Sequence, residues 1–392
     1  MRDILIVGGG PAGALCGERL AAAGARVTIF DERLAWEKPC GGGLTHKAIT
    51  AYPFLLDGPY PKKIIRRVEM ISAGGDRAAF SLDRPIVIYS RAILNGLLLD
   101  RAIAAGCTVI RGRVTHLDIG GRSVRVQTAQ GAQEGDFAVI AAGARNALLA
   151  GSSPLEPEDL EITVGYFLPL PSDVLKVKFL PRFEGYLWSF PRHDHVSVGI
   201  CGKMSQNSSA GLKTHLADFL RDEQIDLTGG RFYSHVLPSP CSNTLRSRRV
   251  AGGDWALVGD AAAWVDPLTG EGLYYAMRSG DLLARSLLDG EPSAYPARVR
   301  AEFAADLEIG ARIARRFYRG SFLGAAVPAR MIQFTHRSKT FRMLMRDLFS
   351  GAQGYSNLKR RLWAQLGTTL GEILASAVIP AAPAARTGEP VS

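Results

Sequence analysis

Residues 3–31 read Asp3-Ile4-Leu5-Ile6-Val7-Gly8-Gly9-Gly10-Pro11-Ala12-Gly13, then a stretch rich in alanine up to Gly24, then Arg26-Val27-Thr28-Ile29-Phe30-Asp31. The apolar run before Gly8 predicts a buried strand, Pro11 fits the first turn of a helix, and Gly24 is typical of a helix end. Glycines in the pattern Gly-x-Gly-x-x-Gly, placed between a strand and a helix, let the backbone approach a pyrophosphate at the positive end of the helix. The stretch therefore predicts a Rossmann-type unit that binds a dinucleotide.

The second strand of this unit ends in two acidic residues. Asp31 lies at the predicted strand tip, where a carboxylate accepts a hydrogen bond from a ribose hydroxyl, and Glu32 could share that role. This unit by itself does not separate FAD from NAD.

A later segment separates the two cofactors. Residues 255–260 read Trp-Ala-Leu-Val-Gly-Asp, a short buried strand that ends in a carboxylate. This resembles the segment of FAD enzymes in which Asp260 would accept from the sugar-alcohol chain between pyrophosphate and flavin. Residues 266–272 then lead into another helix, whose exposed N–H groups would stabilise the reduced, anionic flavin ring.

Composition and charge narrow the protein class. The 392 residues include 47 Lys and Arg against 37 Asp and Glu, and positions 312–361 hold twelve of the basic residues but only one acid, Asp347. No apolar run reaches the roughly 18 residues of a membrane span, and the five scattered cysteines show no metal spacing. His193 and His195 have no third ligand, so no metal is expected. The sequence predicts a cytoplasmic protein, expected to be a monomer and peripheral at most on the inner face of a membrane.

The order of strands and helices predicts an α/β (α+β overall) fold with three parts. Segments 1–65, 84–158 and 245–295 would form a discontinuous Rossmann-type FAD-binding domain. Segments 66–83 and 159–244 would form an inserted antiparallel β-sheet that binds the substrate, and 296–392 a helical C-terminal region.

Together these segments resemble the para-hydroxybenzoate hydroxylase type of flavoprotein over residues 1 to about 290. Ala141-Ala142-Gly143 resembles the motif that packs against the middle of FAD, and Arg91 opens a helix where an anionic neighbour is expected. The resemblance implies that FAD contacts Gly8, Gly10, Pro11, Ala12, Gly13, Asp31, Glu32, Cys40, Gly41, Gly42, Gly43, Arg91, Val114, Ala142, Gly143, Gly259, Asp260, Pro267, Gly270, Glu271, Gly272 and Leu273.

Two further stretches resemble the geranylgeranyl reductase family. They are Lys38-Pro39-Cys40-Gly41-Gly42 and Gly185-Tyr186-Leu187-Trp188-Ser189-Phe190-Pro191. This resemblance implies an FAD-dependent reductase that saturates isolated C=C bonds of a prenyl chain in lipid biosynthesis, with NADPH or ferredoxin as electron donor. The alternative is a monooxygenase or halogenase of the same fold that acts on an aromatic or polyketide substrate. A third possibility is an isoprenoid carrier that keeps flavin for structure.

The residues also suggest how such a reductase would work. Alternation on a strand places Tyr186, Trp188 and Phe190, followed by Pro191, along an apolar substrate wall. An alkene accepts hydride only if a proton reaches its other carbon, and Cys40 is the first candidate donor, with Tyr186 second and Trp188 beside it.

The basic C-terminal segment leaves its own alternatives open. Phe341, Leu344, Met345 and Leu348 have helical spacing, with Arg342 and Arg346 on the flank. Such a helix could rest on an anionic membrane through the 312–361 segment, or cover the substrate cavity. No nucleic-acid module accompanies the charge, so nucleic acid is not expected as a partner.

Overall fold

The computed structural model describes residues 2–145, 148 and 154–378. The predicted helical region 296–392 and FAD-domain segment 84–158 therefore extend in part beyond the described residues. The strands are β1 Asp3–Val7, β2 Arg26–Asp31, β3 Gly43–Leu44, β4 Lys63–Ile71, β5 Arg77–Ile88, β6 Thr108–Arg111, β7 Val114–Asp118, β8 Val124–Thr128, β9 Gly131–Gly135, β10 Phe137–Ile140, β11 Leu160–Leu168, β12 Val174–Lys178, β13 Gly185–Pro191, β14 Val196–Lys203, β15 Arg231–Pro238, β16 Trp255–Leu257, β17 Ser321–Phe322 and β18 Ala325–Ala326.

The helices connect and cover these strands. They are α1 Pro11–Ala22, α2 His46–Ala51, α3 Phe54–Asp57, α4 Arg91–Ala104, α5 Ser209–Asp222, α6 Ser242–Ser247, α7 Leu273–Leu288, α8 Tyr295–Val299, α9 Ala305–Arg319, α10 Val327–Arg337, α11 Lys339–Phe349 and α12 Tyr355–Val378, with a π-helical turn at Arg300–Ala304. The region 36–63 contains the short elements β3, α2 and α3.

A five-stranded parallel sheet in the order β16-β10-β1-β2-β6 carries the cofactor motifs. Its strands are buried on both faces, as a parallel sheet between helices requires. Because the strands are parallel, the carboxyl ends of β1, β2 and β16 meet at one edge, which brings the Gly8 turn, Asp31 and Asp260 together. The Rossmann-type core predicted from the sequence is confirmed.

An eight-stranded mixed sheet in the order β15-β11-β14-β13-β12-β4-β5-β3 forms the second layer. Most of its neighbours are antiparallel, while β12 pairs with β4 in parallel. Strands β4 and β5 form a hairpin that turns at Gly74 and Gly75 and extends to residues 63 and 88. The predicted division into domains stays a prediction.

Helices α9 to α12 pack against the mixed sheet at strands β4, β5 and β12. The contact is one shared apolar cluster. In α11, Leu344 and Met345 are buried, and Phe341 and Leu348 pack against the same cluster. The apolar side of this helix therefore faces the sheet. Among the described residues no helix is both long and apolar enough to cross a membrane.

Candidate active site

The Gly8–Gly13 turn has room only for glycine at two of its positions. A methyl group at Gly13 would lie 2.0 Å from the Gly8 carbonyl oxygen, and one at Gly8, where φ is +109°, would lie 2.3 Å from the Ala141 oxygen. At Gly10, by contrast, nothing lies within 4 Å of that position. The backbone is thus packed tightly behind the turn and open in front of it, as a close approach to pyrophosphate requires.

Asp31 is fixed beside this turn. One of its carboxylate oxygens accepts from the Gly9 N–H at 2.7 Å, and the other from the N–H groups of Arg33 and Leu34. Glu32 is exposed. The carboxylate predicted to bind ribose therefore stands at the strand tip in a defined orientation.

A group of cations faces the same edge. Arg91 is buried, donates to Asn95 at 3.2 Å, and its Nε has no hydrogen-bond partner among the described residues. Lys38 Nζ lies 2.9 Å from Asp260 Oδ2. Burial alone would raise the pKa of the Asp260 carboxyl, but Lys38 and then Arg91 lower it below its usual range. The carboxylate therefore remains ionised and able to accept a hydroxyl hydrogen bond.

The helix start at Arg91 has the anionic neighbour that was expected there, and that neighbour is Glu37, a residue not singled out from the sequence. Glu37 accepts from the Ser90 hydroxyl and from the N–H groups of Arg91 and Ala92, the arrangement favoured at a helix N-terminus. Arg192, whose side chain is 0% exposed, forms an ion pair with Glu37 and donates to the Cys40 carbonyl oxygen. We call these contacts of Arg192 with Glu37 and with the Cys40 carbonyl oxygen the clamp. The one signal for it in the sequence is the acid directly before Lys38-Pro39-Cys40.

The loop 266–271 is held by tyrosines from three separate elements. Tyr186 of β13 donates to the Thr269 carbonyl at 2.7 Å, and Tyr318 of α9 donates to the Leu268 carbonyl at 2.6 Å. Tyr355, at the start of α12, lies 2.7 and 2.9 Å from the two oxygens of Asp266. Burial raises the pKa of the Asp266 carboxyl. The predicted flavin loop is therefore tied to both the mixed sheet and the C-terminal helices.

A second polar cluster fixes the end of this loop. Glu271 accepts from Thr45 Oγ1 at 2.6 Å and pairs with Lys47 Nζ at 2.5 Å, and Lys47 also donates to the Tyr275 hydroxyl at 2.8 Å. Burial alone would lower the pKa of Lys47, but Glu271 and Asp266 raise it, so the ammonium stays charged. Gly270, with φ of +70°, could not carry a side chain, because its Cβ would lie 2.8 Å from the Tyr186 oxygen.

A large, mostly apolar cavity of about 1580 Å³ opens between these loops and the C-terminal helices. The Cys40–Gly43 and Asp266–Tyr275 segments line one side of it, and strands β12 and β13 another. The apolar part of the remaining wall comes mainly from α9 to α12, with Ile309, Ile313, Phe317, Met331, Phe334, Phe341, Leu344, Met345, Leu348, Leu358 and Leu362. Ligand pockets commonly enclose about 300–1,000 Å³, so this cavity has room for a long apolar molecule.

The predicted aromatic wall is divided in two. Tyr186 and Phe190 line the cavity, and the Phe190 ring packs so closely on Gly41 that a methyl group there would lie 2.2 Å from it. Trp188 points to the same face of the strand but is buried in a cluster with Tyr233, and its indole N–H donates to the Ser197 hydroxyl. It does not belong to the cavity lining among the described residues. Pro191 ends β13 and is buried.

Cys40 lies on the cavity side of its loop. Its thiol accepts weakly from the Gly42 N–H at 3.3 Å, and its carbonyl oxygen also accepts from Ser197. Gly42 has φ of +80° and no room for a side chain, because its Cβ would lie 2.2 Å from the Tyr89 oxygen. The glycines thus give the loop its sharp turn at the edge of the cavity.

The other residues that were predicted to contact the cofactor lie on several elements. Pro11 and Ala12 are buried in the first turn of α1, Gly259 follows β16 with φ of +59°, and Gly272 precedes α7, which begins at Leu273. Ala142 and Gly143 follow β10, Pro267 is buried in the flavin loop, and Val114 begins β7 of a separate three-stranded sheet. Their contacts with FAD stay predictions.

The residues at this edge fit FAD on three structural grounds. The turn is open in front of Gly10, Arg91 presents a buried Nε that has no partner in the part of the chain that the structure describes, and Asp260 is ionised at a strand tip. Fold and site together define an FAD-dependent oxidoreductase with a Rossmann-type core. A family model described as pyridine nucleotide-disulphide oxidoreductase matches residues 2–164.

Relatives identify the family. A geranylgeranyl diphosphate reductase from Synechocystis is 30% identical over 319 residues, which cover 73% of this chain and 75% of the relative. A menaquinone reductase from Mycobacterium tuberculosis is 29% identical over 359 residues, covering 84% of this chain and 87% of the relative. The chain belongs to the geranylgeranyl reductase family of FAD-dependent oxidoreductases.

Solved structures show the same fold. A geranylgeranyl bacteriochlorophyll reductase-like protein from Thermoplasma acidophilum matches with a TM-score of 0.76 at 17% identity, covering 93% of this chain and 98% of that one. A flavin-dependent brominase matches with a TM-score of 0.68 at 16% identity, covering 94% and 99%. At these identities the likeness concerns the fold alone.

Proposed function

We propose that this protein saturates isolated C=C bonds of a prenyl chain. The observation that carries the proposal is the 1580 Å³ apolar cavity, which meets the predicted flavin loops at Cys40–Gly43 and Asp266–Leu273. A prenyl chain has no polar group along its length, so only an apolar channel can align it. Reduced FAD, when bound, supplies the hydride. The relatives named as geranylgeranyl diphosphate and menaquinone reductases support this substrate class.

The chain itself has to bind, orient and protonate the alkene. Tyr186 and Phe190 form an aromatic wall that holds the chain by apolar contact. Helices α9 to α12 form part of the cavity wall and keep water away from the reacting carbons. Excluding water favours hydride transfer to the alkene over side reactions. The two relatives are named for substrates with different head groups, a diphosphate and a quinone. Either head group is compatible with the proposed reaction.

Two groups that line the cavity could deliver the proton. The first is the Cys40 thiol, as predicted from the sequence. The second is the Asp266–Tyr355 pair, which shares a short hydrogen bond and in which burial raises the pKa of the carboxyl, so that it holds a proton more readily. Tyr186 is a weaker donor, because its hydroxyl hydrogen is engaged with the Thr269 carbonyl.

The proposal is tested anaerobically with dithionite-reduced holoprotein, using geranylgeranyl diphosphate and a menaquinone as substrates and mass spectrometry as readout. We expect hydrogen pairs to be added to at least one of them, with NADPH or a reduced ferredoxin then compared as donors. Val177→Trp places a large side chain in the cavity, and this variant should keep the flavin but lose activity at least about tenfold. The control Leu288→Trp changes an exposed residue at the end of α7 and should keep both the flavin and the activity.

The alternative chemistry gives a different outcome. If neither substrate gains hydrogen, and the reduced flavin is instead consumed by oxygen with formation of oxygenated or halogenated aromatic products, the protein is a monooxygenase or halogenase and the proposal fails. Unchanged activity of the Val177→Trp variant would place the reaction outside this cavity.

A further inference from the structure

Helix α12 exposes a continuous row of large apolar side chains. We call Leu362, Trp363, Leu366, Leu370 and Leu374 the C-terminal apolar strip. All five are exposed, Trp363 by 68% and Leu374 by 69%. Their spacing of three and four residues puts them on one side of the helix, over a length of about 18 Å at 1.5 Å per residue.

The side of α12 next to the strip is packed against the rest of the molecule, and this packing fixes the orientation of the helix. Tyr355, Leu358 and Thr369 are buried. Glu372 accepts from the hydroxyls of Ser338 and Thr340 at the start of α11. An apolar row that faces outward on an anchored helix is a feature typical of an interaction surface.

The strip begins where the cavity opens. Leu362, Trp363 and Leu366 line the cavity and are exposed at the same time, so they lie at its mouth. Phe322, in the β17–β18 hairpin, has the same two properties, and the adjacent Leu323 is 65% exposed. The apolar surface of the cavity therefore continues onto the outside of the molecule.

Cations that have no acidic partner among the described residues line this mouth or adjoin its lining residues in the chain. Arg315 and Arg316 of α9 and Lys359 and Arg360 of α12 are exposed and form no ion pair among the described residues. Arg316 and Lys359 also line the cavity. A surface that combines apolar side chains with unpaired cations is complementary to the headgroups and acyl chains of an anionic bilayer, where each Lys or Arg contributes about 1 kcal/mol.

We propose that the C-terminal apolar strip and the Phe322–Leu323 tip dock on an anionic lipid bilayer, with the cavity mouth facing the acyl chains. Trp363 suits the boundary between headgroups and chains, because its ring is apolar and its N–H is polar. A second copy of this chain is a poorer occupant, since a symmetric contact would bring the two cationic margins together. Docking stands independently of the reaction, whereas passage of a prenyl chain through the mouth rests on the proposed function.

The test uses the full-length holoprotein and sedimentation with vesicles of phosphatidylcholine, with or without phosphatidylglycerol. We expect binding to the anionic vesicles, weakened by salt, and at least about tenfold weaker binding of a Leu370→Ser/Leu374→Ser variant, in which neither changed residue lines the cavity. The matched control is Ile103→Ser/Leu288→Ser, which changes two exposed apolar residues elsewhere and should bind like the parent. Lys359→Glu/Arg360→Glu should lose the preference for anionic lipid.

Three results would overturn the docking. The parent protein could ignore anionic vesicles, the strip variant could bind as tightly as the parent, or light scattering could show a dimer that only the strip variant dissociates. Activity separates docking from the proposed reaction. The strip variant should reduce geranyl diphosphate in buffer like the parent, yet reduce a vesicle-borne prenyl lipid at least about tenfold more slowly. A parent that binds vesicles but reduces neither substrate refutes the reaction and leaves docking intact.

Discussion

The clamp between Arg192 and Glu37 determines where the Cys40 loop lies, and replacing Arg192 with Met tests this directly. The guanidinium is buried, forms an ion pair with Glu37, and donates to the Cys40 carbonyl oxygen. Methionine keeps the apolar length of the side chain but removes both the charge and the donors. Glu37 then keeps its contacts with Ser90 and the start of α4, but loses its cation.

The expected cost follows from burial. Removing one partner of a buried ion pair costs about 3–5 kcal/mol, because the remaining charge stays desolvated. The exposed pair of Arg221 with Asp218 gives a control, since surface pairs contribute about 0–1 kcal/mol. With a urea m-value of about 3 kcal/mol/M, Arg192→Met should lower the unfolding midpoint by about 1 M or more, and Arg221→Met by less than a third of that.

Two assays check this account. Urea unfolding followed by flavin and tryptophan fluorescence gives the midpoint. Alkylation of Cys40, in a Cys241→Ser background that removes the exposed cysteine, reports the position of the loop. We expect the thiol of Arg192→Met to react severalfold faster under native conditions, and Arg192→Lys to lie in between. Equal midpoints for Arg192→Met and Arg221→Met, together with unchanged alkylation, would refute the clamp.

Three more predictions concern the polar groups around the cofactor site. Asp260→Asn should reduce flavin retained after gel filtration, measured by absorbance, while Asp218→Asn should not; equal retention would exclude Asp260 from the site. Burial, and then the surrounding cations, lower the pKa of His235 to about 4. In the unfolded chain His235 has its ordinary pKa, so the unfolded state binds this proton more readily than the folded state does. The free energy of unfolding should therefore fall by roughly 3 kcal/mol between pH 6.5 and 4 because of this group. His235→Gln should flatten that slope in urea titrations. Tyr355→Phe removes a donor from buried Asp266 and should cost about 1–3 kcal/mol in urea unfolding, with a midpoint equal to that of the parent contradicting the pairing.

The cofactor half of the fold was predictable because its signals are local. The Gly8–Gly13 turn and the acids at strand tips each depend on residues that are close together in the chain. Backbone geometry that needs glycine leaves a direct trace in the sequence.

The site's supporting contacts were not predictable, because they join distant segments. Arg192 meets Glu37 across 155 positions, and Tyr355 meets Asp266 across 89. The tyrosines that hold the flavin loop come from a strand and two helices whose packing no single segment determines. Helical spacing predicted an amphipathic helix at α11, but only the packing shows that α11 covers the cavity while α12 exposes an apolar row.

The most direct test of the central claim is to follow where the reducing equivalents of the flavin go. The holoprotein is reduced with dithionite in D₂O without oxygen, mixed with geranylgeranyl diphosphate or a menaquinone, and the product is analysed by mass spectrometry. The proposed function predicts that two deuterium atoms enter each saturated double bond, one with the hydride and one with the proton. An unlabelled, unchanged prenyl chain beside flavin that reoxidises only when air is admitted would contradict it.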